Sequence, residues 1–188
     1  ALLEISRVLA AGNSPRTVRF VAFVNEEPPF FMTEAMGSKR FADEAARKKE
    51  KIVAMLSLET LGYYSDRPRS QSYPLFLSWF YPNTGNFIGV VGNMASRNLV
   101  EKATRLFQEA TSFPVECIAA PRILPGIDWS DQAAFWSHGW QAVMITDTAL
   151  YRYPHYHLET DLPNQLNYPA FAQVVQGLTH VAKGLAQE

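Results

Sequence analysis

A chain of 188 residues with 47% hydrophobic content can fill one core and is too short for two comfortable domains, so residues 1–188 are read as one α/β domain. Seventeen basic residues against eighteen acidic ones leave a formal charge of −1, with no basic stripe or arm for a phosphate backbone, which argues against nucleic acid as a partner. No apolar run approaches the roughly 20 residues that span a bilayer, nothing in the first residues reads as a signal peptide, and a single cysteine, Cys117, excludes an internal disulfide.

In chain order, Leu2, Ile5, Val8 and Leu9 recur at helical spacing from the first residue, with no N-cap, which predicts a chain that starts inside a helix. A loop at residues 12–15 follows. VRFVAFV, residues 18–24, is nearly continuous in apolar residues and predicts a buried strand. It runs into Glu26 and Glu27, and Pro28 and Pro29 then forbid both helix and continued strand. A polar helix is expected from Gly37 and Ser38, then a strand in KIVAMLSLE that ends on a third carboxylate, Glu59. Residues 63–85, rich in Pro, Ser and aromatics, predict a long excursion beside the sheet. FIGVVGN is the next strand, followed by a helix with Leu99, Val100, Ala103, Leu106 and Phe107 on one face and Ser96 as its cap. VECIAAP predicts a strand that buries Cys117. DWSDQAAFWSHG predicts a short helical segment, QAVMITDT a fifth strand, and YRYPHYHLETD a loop. The last helix sets Phe171, Val174, Leu178, Val181 and Leu185 on a stripe, with Pro169 in its first turn.

Strands alternate with helices, without repeats or linkers, which predicts an α/β/α three-layer architecture around a mixed, largely parallel sheet. If the strands are parallel, Glu26, Glu27, Glu59, Asp131 and His157 fall on one rim, where ligands bind in open α/β sheets. Adjacent carboxylates divide labour well, because one ligates a cation while its neighbour handles a proton. His157 is the best nitrogen ligand, and Asp161 is placed to orient its ring. His155 ranks below it, since residues two apart seldom reach one ion. His138, beside Gly139, and His180, on the last helix, read as structural. The aromatics, Trp79 and Trp129 among them, read mostly as core. HExxH is absent, so a metal site must be assembled from distant loops. Gly-x-Ser-x-Gly is also missing, and Ser130 has no evident base. A glycosidase pair from Glu26 and Asp131 is possible chemistry but leaves His157 without a purpose.

VRFVAFVNEEPPFF, MGSKRFA, LSLETLGYY and DWSDQAAFWSHGWQAVMITDTALYRYPHYHLETDLPNQLNY, in that order, resemble the zinc-dependent aminopeptidases of the M28 peptidase family over almost the whole chain. The resemblance implies a zinc-aminopeptidase-like fold, one or two zinc ions and a peptide substrate. It implies Glu26 as general base and Glu27, Glu59 and His157 as metal ligands. Asp131, Asp161, Arg152 and Tyr156 would bind substrate or support the ligands. Gln132 stands where the family's Ser-Asp-His motif has histidine. The family's first histidine ligand and its bridging aspartate would precede Ala1, so this chain is expected to be truncated at its N-terminus and to hold zinc weakly by itself. Relatives are often exported, so the resemblance favours a periplasmic or extracellular address, while the residues themselves leave the compartment open. The alternatives are a glutaminyl-cyclase-like acyltransferase on the same scaffold and a non-catalytic binding domain.

Overall fold

The computed structural model describes residues 1–187. Its main elements are helices α1 (Leu2–Ala10) and α2 (Gly37–Arg47), strands β1 (Met55–Glu59) and β2 (Ile88–Gly92), helix α3 (Arg97–Ala110), strand β3 (Val115–Ala119), helix α4 (Gln132–Trp136), strand β4 (Ala142–Thr146) and helix α5 (Tyr168–Ala186). They form a four-stranded sheet in the order β1-β4-β2-β3. β1 and β4 are parallel, β2 and β3 are parallel, and β2 meets β4 antiparallel.

Strand alternation sends successive side chains to opposite faces, and each face is covered by helices. Val90, Val143 and Ile145 join Ile5 of α1, Leu99, Val100 and Phe107 of α3, and Val174, Leu178 and Val181 of α5 in one buried cluster. On the other face Ala142 packs with Ala42 of α2 and Ala134, Phe135 and Trp136 of α4. The three-layer architecture expected from the sequence is therefore the observed one. Helix α5 has Pro169 in its first turn as read, and the Asn167 side chain, which the sequence reading passed over, caps it by accepting from the Ala170 N–H. It approaches α3 closely at Gly177, where an added Cβ would stand 2.3 Å from Phe107 Cε2. Gly177→Ala should cost about 1–3 kcal/mol through overpacking, read as a lower urea midpoint at unchanged slope.

Several expectations are corrected. Residues 18–24 form no strand, and Val24 is 67% exposed. β1 starts only at Met55, so residues 51–54 of the apolar run lie outside it. The two stretches face each other across an open groove, whose walls include Val18, Phe20, Val53 and Ala54. An apolar run becomes a buried strand only when its backbone donors find a ladder, and here they do not. Ser96 does not cap α3 through its side chain. It is fully buried, and its Oγ accepts the Ala142 N–H at 3.1 Å, while Asn93 accepts the Ser96 N–H. Trp79 is 81% exposed and Trp129 is 42% exposed, so neither is core. Cys117 is only half-buried because β3 is an edge strand. His138 pairs with Asp43 at 2.7 Å, and His180 meets Glu109 at 3.4 Å on the surface.

Candidate active site

The antiparallel β2–β4 pairing changes how the site is assembled. Only β1 and β4 end on the rim that carries Glu59, so Asp131, which follows β3, cannot arrive there as a strand end. The segment after β3 instead leads the chain back to Glu59. Ser130 donates to Glu59 Oε2 at 2.9 Å and exchanges a 3.0 Å hydrogen bond with Ser57, one turn of the pleat away on the same face of β1. Glu26 and Glu27 enter from the coil after residue 24, and a Gly37 N–H to Val24 carbonyl bond of 2.9 Å ties that coil to the start of α2. Tyr156 and His157 come from the loop after β4, their rings stacked at 3.9 Å, with His157 Nε2 3.2 Å from Glu27 Oε1.

Four carboxylates thus share one electrostatic neighbourhood. Burial, followed by repulsion from Glu59, Asp131 and Glu27, pushes Glu26 up from 4.5 to about 7. Burial also raises Glu59, with Glu27, Asp131 and Asp147 adding to the effect and the Ser130 hydrogen bond opposing it. Asp131 is raised by burial, with the nearby Ser38 hydroxyl opposing the effect, and its Oδ1 is enclosed without a hydrogen-bond partner. Tyr156 is raised to about 12 by burial and by Glu59, Glu27 and Glu26, which places its ring among the acids.

Residues 1–182 match the model of Peptidase family M28. The chain belongs to peptidase family M28. It is 42% identical over 178 residues to the uncharacterized protein YfbL of Escherichia coli (strain K12), covering 94% of this chain and 54% of that one. The M28 chain described here therefore spans about half the length of that curated relative. Among solved structures it is similar to LapB of Legionella pneumophila, with a TM-score of 0.73 at 18% identity over 99% of this chain and 44% of that one. It is likewise similar to BSAP, a zinc aminopeptidase from Bacillus subtilis, with a TM-score of 0.70 at 18% identity over 100% of this chain and 40% of that one. At this identity, these two likenesses establish the fold.

The donors of this M28 chain suit a divalent cation chemically, as contributors to a site rather than a complete cage. An imidazole already meets one carboxylate, uncompensated acids crowd beside them, and Asp131 keeps an enclosed oxygen unpartnered. Among the described residues, however, no three His, Cys, Asp or Glu side chains are grouped to hold a metal ion.

Two supporting residues expected from the M28 resemblance have other partners. Asp161 accepts from the Tyr153 hydroxyl at 2.7 Å, and His157 meets Glu27 instead. Arg152 is buried, donates to Gln71 Oε1 at 2.7 Å and the Phe87 carbonyl at 2.8 Å, and lies over the Phe87 ring. It braces the loops that carry Gln71 and Phe87. His155 bonds Thr160 at 2.8 Å, as its lower rank suggested. Gln132 is fully buried, donating to the Ile127 carbonyl at 3.0 Å, so this departure from the Ser-Asp-His motif serves packing of the loop beneath Asp131.

Sequence reasoning missed Asp147. It is 2% exposed, and its carboxylate accepts the N–H groups of Gly62 at 2.9 Å, Tyr63 at 2.8 Å and Ala149 at 3.1 Å. It thereby fixes the chain just beyond Glu59 to the start of the loop that delivers His157. Its signal was an acid at the end of an apolar strand, shared with the Glu59 strand. Asp147→Ala would orphan three buried donors, and we expect a loss of about 3 kcal/mol or more in denaturant unfolding.

Proposed function

We propose that this chain supplies the general base and part of the metal-binding set of a zinc aminopeptidase that releases N-terminal residues from peptides. The observation that carries this reading is the convergence of Glu26, Glu27, Glu59, Asp131 and His157 from four separate segments of the chain, supported by membership of a peptidase family. Glu27, Glu59 and His157 are the residues that would hold zinc. When bound, zinc polarises the scissile carbonyl and lowers the pKa of water toward about 7.

The chain's own residues set up the proton traffic. Glu26 is half-buried among like charges, and its value near 7 suits a group that must both accept and release a proton at neutral pH. Ser130 and Ser57 hold Glu59 in one orientation. Tyr156, stacked on His157, covers one face of an imidazole that is otherwise open to solvent.

The test uses the full-length protein loaded with zinc and peptides with free or acetylated N-termini, followed by mass spectrometry. Loss of one residue at a time from free peptides, with acetylated ones intact, is expected. Cleavage at internal bonds would overturn the reading, as would a product from Gln-led peptides that differs only by loss of ammonia.

A further inference from the structure

One row of residues crosses the whole sheet beside the acidic cluster. Glu59 is opposite Thr146, Thr146 is opposite Gly89, and Gly89 is opposite Glu116. Directly opposed residues project to the same face, so Glu59 and Glu116 stand on one floor, three strand spacings or about 14 Å apart. Between them Gly89 raises no side chain, and the floor stays open. A cavity of about 130 Å³ lies over this row. At one end it is lined by Glu59 and Tyr156, both part of the acidic cluster, and at the other by Glu116, Tyr73 and Tyr81.

The far end has an unusual composition. Its rings, Tyr73 and Tyr81, lie 5.8 Å apart, and their hydroxyls are committed to the carbonyls of Pro82 and Cys117 at 2.6 and 2.9 Å. Glu116 is half-buried beside them and has neither a hydrogen-bond partner nor an ion pair among the described residues. A carboxylate left uncompensated among aromatic faces is an environment for a cation, while the apolar remainder of the cavity suits a chain of methylenes.

We propose that this cavity is a subsite for the side chain of the substrate's terminal residue, and that Glu116, with Tyr73 and Tyr81, selects a long basic side chain, arginine or lysine. The inference rests on the peptidase reading above for its orientation, with the terminal amine and scissile bond at the Glu59 end. A short apolar side chain would occupy the near half and leave Glu116 unpaired. An acidic one would be repelled at both ends.

Binding tests this separately from turnover. Trp129 lines the cavity, so its fluorescence reports occupancy. The full-length protein is titrated with argininamide, norleucinamide and leucinamide, and the titrations are repeated with Glu116→Gln and Glu116→Asp. Argininamide should bind about tenfold or more tightly than norleucinamide, which matches much of its length without the charge. The preference should vanish in Glu116→Gln and survive in Glu116→Asp. Equal or tighter binding of norleucinamide to the wild-type protein overturns the proposal, as does no binding of any amide or a preference that persists in Glu116→Gln. Glu116-dependent binding without release of residues from any peptide would leave the subsite standing and sink the peptidase reading. Peptide trimming without that preference would do the reverse.

Discussion

Replacing Glu26 with Gln in the zinc-loaded, full-length protein should lower kcat by about 10²–10⁴-fold while leaving bound zinc, measured by elemental analysis, unchanged. The amide keeps the size of the side chain and removes its capacity to take a proton. Glu26 suits the role on environment as well as position, since burial and three neighbouring acids hold it near 7 whereas an exposed glutamate sits at 4.5. The two readouts separate its role from that of its neighbour. Glu27→Gln, which changes the carboxylate that meets His157, should lower zinc content as well as turnover. An active Glu26→Gln enzyme would remove this residue from the chemistry, and a metal-free one would make it a ligand.

The second large effect is on stability and depends on pH. In metal-free protein the acidic cluster should make the fold less stable at pH 8 than at pH 5.5. Glu26 has a folded value of about 7 against 4.5 in the unfolded chain, so the folded state holds its proton more tightly. Its contribution is fully present below 4.5 and is lost as pH rises through 7. Glu59 and Asp131 are shifted in the same direction, also with burial as the leading cause, and add to the trend. We expect the Tm of metal-free protein to fall by several degrees across this window, at about 2–4 °C for each kcal/mol lost in a chain of this length. Glu26→Gln should flatten the profile by raising the Tm at pH 8. A bound divalent cation should do the same in the wild-type protein, because it replaces carboxylate repulsion with attraction. A metal-free Tm that rises from pH 5.5 to pH 8 would mean that these acids are separated in solution.

The same arrangement accounts for a functional compromise. A core of apolar side chains from α1, α3 and α5 stabilises one face of the sheet, and the cluster of like charges strains the rim of the other. Asp147 and Arg152 reconcile the two. Both are buried, Asp147 accepting from loop backbone and Arg152 donating to the Gln71 side chain and the Phe87 carbonyl, so the segments carrying Glu59 and His157 are held in place before any cation arrives. Preorganisation of this kind lowers the reorganisation needed when charge develops during a reaction.

Much of this was legible in the residues themselves. The apolar period of α3 and α5, the proline at the start of α5, and the short apolar runs of β2, β3 and β4 depend on neighbours a few positions away. Glu59 at the end of its apolar run and His157 in the loop after a strand stood out for the same reason, whereas Tyr156 came only from the family resemblance. What the tertiary structure alone decided depends on contacts between distant segments. An apolar run at residues 18–24 could not reveal that its hydrogen-bonding edge goes unpaired. Nor could strand order reveal that β2 and β3 run against β4, a reversal that brings Asp131 to Glu59 through a returning loop. Arg152 found in Gln71 a partner that sequence separation concealed, while Asp161 took the hydroxyl of Tyr153 within its own loop. Glu116 looked like any polar residue on an edge strand until cross-strand register placed it on one row with Glu59. Local chemistry fixes which residues can act, and the sheet's pairing fixes which of them meet.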